Sequence, residues 1–138
     1  MSVSTFPTRQ AGINFPGGAE WGAINQVEAR RLARDPEVRP RALRVFFAAI
    51  GWANRINHAE FAPGGLAMIL QDVNPQTGEL SVPSAQAVNK AVVAAKDMGI
   101  IHADSGARCL LLPHYLWQKN GKGSASCGYH GQGKAGAA

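Results

Sequence analysis

The sequence predicts a mainly α-helical domain with a small β-hairpin, and two observations lead to that fold class. Apolar residues recur at three- and four-residue spacing over 41–58 and 84–99, as they do along the buried face of a helix. Two short apolar runs, 100–101 and 109–112, then flank a polar loop that contains glycine. Such a pair of runs predicts two strands joined by a turn.

Length sets the domain organisation. With 138 residues the chain can bury one core. We expect an irregular arm over 1–18, where Pro and Gly are frequent, and a single domain over 19–118. The remaining stretch, 119–138, holds six glycines and several lysines, which predicts a flexible basic tail.

The N-terminal half of the domain is predicted to be helical. A first helix is expected over 20–34, with the apolar residues Trp21, Ile24, Val27 and Leu32, and Asp35-Pro36 ends it. The helix over 41–58 follows, and the run 66–70 has the length of a short helix. The connection 72–83 carries several turn residues, which predicts an ordered loop or a short strand.

The helix Ser84–Gly99 has two contrasting faces. Ser84 can cap its first turn and Gly99 can end it. One face carries the apolar stripe Ala85, Val88, Ala91, Val92, Ala95 and Met98. The other face carries Gln86, Asn89, Lys90, Val93 and Asp97. Side chains of this second kind suit base edges and phosphates in a major groove.

A helix followed by a hairpin is the order of the recognition half of a winged helix-turn-helix. The wing is expected over 102–108, with Ser105-Gly106 at its tip and Arg108 beside it. The predicted DNA contacts on the helix are Ser84, Gln86, Asn89, Lys90 and Val93. Arg108 is expected to add a contact from the wing.

Three segments carry a resemblance to a known family: Ala33-Arg34-Asp35-Pro36 with Pro40-Arg41-Ala42-Leu43, the helix Ser84–Gly99, and Ala107-Arg108-Cys109-Leu110-Leu111-Leu112-Pro113. In them the chain resembles small winged helix-turn-helix proteins of actinobacteria, their phages and plasmids. The resemblance covers roughly residues 30–118. It implies binding of double-stranded DNA by the third helix and the wing, in regulators or in the N-terminal parts of replication initiators.

Charge agrees with a polyanionic partner. The formal net charge is +5 and the pI is near 9.7. The N-terminus lacks the pattern of a secretory signal, and no apolar run approaches the ~20 residues of a membrane span. Two cysteines make no disulfide framework, so we expect reduced thiols, a cytoplasmic location and no membrane partner.

Six arginines fall within fifteen residues: Arg30, Arg31, Arg34, Arg39, Arg41 and Arg44. They are either a solvated helix surface offset by nearby acidic residues or a surface that binds DNA phosphates. The second interpretation makes Arg41 and Arg44 predicted DNA contacts.

Other chemistry has weaker support. Cys109, His114, Cys127 and His130 could bind zinc, but a buried strand cysteine and a solvated tail histidine are the commoner explanations, and no metal or other cofactor is predicted. The stretch 128–135 resembles a phosphate-binding loop but lacks the final hydroxyl residue and a following helix. No catalytic constellation can be named, so an enzyme is not expected.

The predicted function is therefore double-stranded DNA binding, with transcriptional regulation in a phage, plasmid or actinobacterial setting as its role. A homodimer would lengthen the DNA site that one winged helix can read. Two alternatives stay open: a replication or partition accessory that uses the same fold, and a winged helix that binds another protein.

Overall fold

The computed structural model describes residues 12–119 and 126–130, and these residues form a mixed α/β fold. The helices within these ranges are α1 (Gln26–Arg34), α2 (Arg41–Trp52), α3 (Gly65–Ile69) and α4 (Ala85–Asp97). The strands are β1 (His58–Glu60), β2 (Asp72–Val73), β3 (Leu80–Ser81) and β4 (Cys109–Leu111). A 3-10 turn over Pro16–Gly18 lies in the otherwise irregular segment before α1.

Helix α1 begins six residues later than predicted. Asn25 Oδ1 accepts hydrogen bonds from the backbone N–H groups of Val27 at 2.8 Å and Glu28 at 3.4 Å, which caps the helix at that point. The buried face consists of Ala29 and Ala33. Three of the apolar residues assigned to this helix, Trp21, Ile24 and Val27, are exposed, and the first two precede it.

Helix α2 ends at Trp52, before the predicted end at residue 58. The side chain of Asn54 accepts the backbone N–H groups of Ile56 at 2.9 Å and His58 at 3.0 Å, and Asn57 has a φ of 67°. These side-chain hydrogen bonds replace the helical ones and turn the chain into β1. His58 therefore lies on a strand instead of at the end of a helix.

The central elements match the prediction more closely. Helix α3 occupies the predicted position, and β2 and β3 form a hairpin in the 72–83 connection, with Asp72 opposite Ser81. Ser84 Oγ accepts the N–H of Ala87 at 3.1 Å and caps α4. Val88, Ala91, Val92 and Ala95 form the buried stripe. Ala85 and Met98, also expected in that stripe, are exposed.

The strand β4 pairs with β1, whereas the sequence predicted pairing with residues 100–101. In this antiparallel pair His58 is opposite Leu111 and Glu60 is opposite Cys109. Residues 100–101 form no strand, although His102 N–H still donates to Leu111 O at 2.7 Å. Ile101 is instead buried in the core, where its side chain loses contact with water.

The predicted wing is a tight turn. Gly106 and Cys109 exchange backbone hydrogen bonds of 3.0 and 3.1 Å, which puts Ala107 and Arg108 at the tip. The predicted tip at Ser105-Gly106 is wrong because Ser105 is buried: its Oγ donates to Leu111 O and accepts the N–H of Leu111.

The core lies between α1, α2 and α4 and is closed by α3 and the β1–β4 sheet. Its fully buried large side chains include Leu66, Leu70, Leu110 and Leu112. Within the described ranges, the helices are all too short or too polar to cross a bilayer.

Residues 126–130 pack against this domain. Asn54 Nδ2 donates to Ser126 O at 3.1 Å, and Gly128 N–H donates to Glu60 Oε1 at 3.1 Å. Cys127 is only 4% exposed. These five residues of the stretch predicted as a flexible tail therefore contact the domain. The remainder of that stretch, 120–125 and 131–138, and residues 1–11 of the predicted arm lie outside the described residues.

Candidate functional site

The exposed face of α4 carries most of the predicted DNA contacts. Gln86, Asn89 and Lys90 are exposed in the first half of the helix, and Val93 is 51% exposed one turn further. Ser84 is exposed at the cap. Packing of the opposite face against the core leaves this surface polar, with donors, acceptors and one cation within two turns. A helix with such a face can contact base edges through side chains at its N-terminal end.

Arg108 lies at the tip of the 106–109 turn and is exposed. Its Nε donates to the carbonyl oxygen of Phe61 at 2.9 Å, just after β1. This bond holds the Nε end of the guanidinium group in place, while the side chain stays accessible to an anionic partner.

Arg44 is not available to DNA, which corrects the prediction. The side chain is 1% exposed. Its Nε donates to Ala33 O at 2.9 Å, Nη1 lies 3.1 Å from Asp72 Oδ1, and Nη2 donates to Ile69 O and Gln71 O. Every guanidinium nitrogen thus has a protein acceptor, and burial lowers the pKa of the group. Arg44 holds the fold together instead of contacting phosphate.

Arg41 lies at the edge of the same network. It donates through Nη2 to Asp72 Oδ2 and is about one-third exposed. The pairing partly neutralises its charge, but the exposed part of the side chain can still approach a phosphate.

Two other arginines of the cluster pack on an aromatic ring. The guanidinium carbons of Arg30 and Arg34 lie 5.4 and 5.1 Å from the centre of the Trp52 ring. Arg30 Nε also donates to Gly51 O at 2.7 Å, which ties α1 to α2. Part of the arginine cluster therefore serves helix packing, a role that neither interpretation of the sequence included.

A second site was not predicted in this form: His58, Cys109, Cys127 and His130 converge. The possible ligand atoms of these four side chains all lie within 4.8 Å of one another. Cys109 Sγ is 3.4 Å from His58 Nδ1 and 3.6 Å from Cys127 Sγ, and Cys127 Sγ is 3.9 Å from His130 Nδ1. Three of the four residues are buried, and His130 is half-buried.

Strand register explains half of this cluster. His58 is opposite Leu111, and Cys109 is two residues before Leu111, so His58 and Cys109 lie diagonally on one face of the sheet. The turn at 127–130 brings Cys127 and His130 to the same face. His114, the fourth residue considered from the sequence, is exposed and is not part of the cluster.

His58 was missed because the helical pattern over 41–58 placed it at a helix end. The signal that could have located it is Asn54, whose short side chain competes for backbone N–H groups and ends a helix. Once the helix stops there, the next residues are free to form a strand beside β4.

Burial controls the protonation of the cluster. It lowers the pKa of His58 to about 4, with the charge of His130 acting in the same direction. It raises the pKa of the Cys109 thiol, and the contact with Cys127 adds to the effect. In the protein without a bound ion, His58 is therefore neutral and Cys109 is a thiol at neutral pH.

Comparisons of the chain with protein-family models, with curated protein sequences and with solved structures gave no match.

Proposed function

We propose that the protein binds double-stranded DNA as a winged helix-turn-helix protein. The observation that carries the proposal is the exposed face of α4, where Gln86, Asn89 and Lys90 stand opposite a fully packed stripe. In this proposal α3 and α4 are the two helices of the helix-turn-helix, and the 106–109 turn with β4 is the wing. The β2–β3 hairpin extends the connection between the helices, which has three or four residues in the simplest motif.

The predicted contacts differ in their proposed roles. Gln86 and Asn89 pair with adenine through two hydrogen bonds each, and Lys90 contacts guanine or a phosphate. Val93 contacts the methyl group of a thymine. Arg108 contacts the backbone or the minor groove and positions the protein without reading much sequence. Arg41 contributes a phosphate contact from the exposed part of its side chain.

The net charge of +5 supports a polyanionic partner. Transcriptional regulation in a phage, plasmid or actinobacterial setting is the role we propose, and a homodimer would read two half-sites. A replication or partition accessory would use the same contacts.

A protein-interaction module is the second candidate, and the exposure of Val93 is the observation that favours it. An apolar side chain that is 51% exposed among polar neighbours can meet a partner's apolar surface as well as a thymine methyl.

Titration of the full-length protein with labelled duplex DNA tests the proposal. Binding should weaken steeply between low and physiological salt, because Lys and Arg contacts release condensed counterions from the phosphates. Single-stranded DNA of the same length should bind more weakly, since it presents no major groove. No duplex binding, or a response that does not change with salt, would favour the protein-interaction module.

A further inference from the structure

We propose that His58, Cys109, Cys127 and His130 bind one Zn²⁺ ion in a closed structural site. The ion would fasten residues 126–130 to the β1–β4 sheet, next to the turn that carries Arg108. This inference is independent of DNA binding.

The distances suit a tetrahedral ion. With Zn–S near 2.3 Å and Zn–N near 2.0–2.1 Å, ligand atoms of a tetrahedron lie about 3.4–3.8 Å apart. Three of the six separations are 3.4 Å from His58 Nδ1 to Cys109 Sγ, 3.6 Å between the two sulfur atoms, and 3.9 Å from Cys127 Sγ to His130 Nδ1. All six are within 4.8 Å, so small side-chain movements would bring the four atoms to tetrahedral distances. The rings of His58 and His130 stand at 84° to each other, so their nitrogens can approach an ion from different directions.

The donor set favours zinc over harder cations. Two sulfur and two imidazole ligands in a tetrahedron are typical of zinc, whereas magnesium and calcium prefer oxygen. When the ion binds, both cysteines release their protons to solvent. Two thiolates then balance the charge of Zn²⁺, and the neutral complex can be buried at low electrostatic cost.

Neighbouring groups orient the ligands as they do in zinc proteins. His130 Nε2 donates to the backbone oxygen of Asp104 at 3.2 Å, which leaves the lone pair on Nδ1, the nitrogen nearer to Cys127. Cys127 Sγ accepts the N–H groups of Tyr129 and His130 at 3.3 Å each. These two bonds stabilise negative charge on the sulfur.

His58 would bind the ion through Nδ1, which lies 3.4 Å from Cys109 Sγ. A neutral imidazole offers a lone pair on one ring nitrogen and carries its proton on the other. With the ion on Nδ1, the proton lies on Nε2, which is buried and has no hydrogen-bond partner among the described residues.

A disulfide between the cysteines fits less well. The sulfur atoms are 3.6 Å apart against about 2.0 Å in a disulfide, and a disulfide gives the two histidines no role. Four protein ligands also leave no open position for substrate, so the site is structural and not catalytic.

Metal binding to the full-length, reduced protein tests the proposal. Titrated with Co²⁺ as a probe, the protein should bind one ion and develop the visible absorption of tetrahedral, thiolate-bound cobalt, and Zn²⁺ should displace it. Cys127→Ser and His130→Asn should each weaken binding by more than about 100-fold, beyond the ~10–100-fold that a lost outer partner costs. The matched control is His114→Asn, which should bind cobalt like the wild type.

Circular dichroism confirms that each variant is folded, and Cys127 and His130 are suited to this test because they lie outside the central core. Three results would overturn the proposal. The first is no stoichiometric cobalt binding by the reduced protein, and the second is an equal loss of cobalt affinity in His114→Asn and His130→Asn. The third is a Cys109–Cys127 disulfide that forms in preference to metal binding when zinc is present. Duplex DNA binding is measured separately, so its failure leaves this result intact.

Discussion

The Nη1 atom of Arg44 lies 3.1 Å from Asp72 Oδ1, and this pair joins helix α2 to the β2–β3 hairpin. Arg44 also reaches three backbone oxygens, on Ala33, Ile69 and Gln71, so one buried guanidinium links α1, α2 and α3. Arg44, predicted from the sequence to contact DNA, therefore stabilises the fold by linking these elements.

Replacing Arg44 should strongly destabilise the protein. Arg44→Met removes the cation that pairs with Asp72 and leaves three buried or partly buried backbone carbonyl groups without their donor, which should lower the free energy of unfolding by about 3–5 kcal/mol. Urea unfolding measures the change. The control is Arg31→Met, which breaks an exposed pair with Glu28 and should leave the urea midpoint of unfolding nearly unchanged. A small loss of stability in Arg44→Met, similar to that in Arg31→Met, would contradict the role assigned to Arg44.

Gly51 should not tolerate a methyl group. Alanine usually stabilises a helix interior by about 0.5–1 kcal/mol relative to glycine. Here a Cβ would lie 2.7 Å from Arg30 Cγ and 3.0 Å from the Arg30 backbone nitrogen. Gly51→Ala should therefore destabilise the protein by about 1–3 kcal/mol, measured by thermal unfolding.

The control for this contact is Gly22→Ala, where a Cβ meets nothing within 4 Å among the described atoms. That change should stay within about 0.5 kcal/mol. A stabilising effect of Gly51→Ala would mean that α1 and α2 are not packed this closely.

Zinc should stabilise the folded protein. Free Zn²⁺ at about 1,000 times its Kd should add about 4 kcal/mol to the free energy of unfolding. A chelator should remove this stabilisation and lower the Tm of the reduced protein. The Cys127→Ser variant and the protein truncated after Gln118 should have the lower Tm before any chelator is added. The chelator should not change their Tm further. If the chelator lowered the Tm of the wild type and of the truncated protein equally, the stabilising ion would not be bound by Cys127 and His130.

Local signals in the sequence predicted several elements well. The Ser84 cap and the spacing of Val88, Val92 and Ala95 gave helix α4 nearly to the residue, because a capped amphipathic helix is encoded within one stretch of chain. The turn residues between 72 and 83 indicated the connection that forms the β2–β3 hairpin.

Features that depend on distant residues were not predicted. Strand β4 pairs with β1, about fifty residues away, and no local pattern states which strand will be its partner. The same pairing brings His58 to Cys109, so the cluster of His58, Cys109, Cys127 and His130 could not be predicted from sequence spacing alone. The burial of Arg44 could not be predicted either, because its charged partner, Asp72, is also distant in the sequence.

The wing should contribute affinity without sequence preference. Arg108→Ala removes a backbone or minor-groove contact and should weaken binding to all duplexes by a similar factor. Its bond to Phe61 O is lost as well, which should cost no more than about 1 kcal/mol of stability. Arg55→Ala, at another exposed arginine, is the control and should change DNA binding less. A loss confined to one DNA sequence would contradict this role.

Affinity of α4 variants for a selected duplex tests the central claim most directly. After selection of a preferred site from random DNA, Gln86→Ala or Asn89→Ala should lose about 1–3 kcal/mol of binding on that site and relax its preference there. Because both side chains are exposed, stability should change by no more than about 0.5 kcal/mol. The control Gln76→Ala, at an exposed glutamine in the β2–β3 turn, should bind like the wild type. Unchanged affinity in folded Gln86, Asn89 and Lys90 variants would show that this face of α4 does not read DNA.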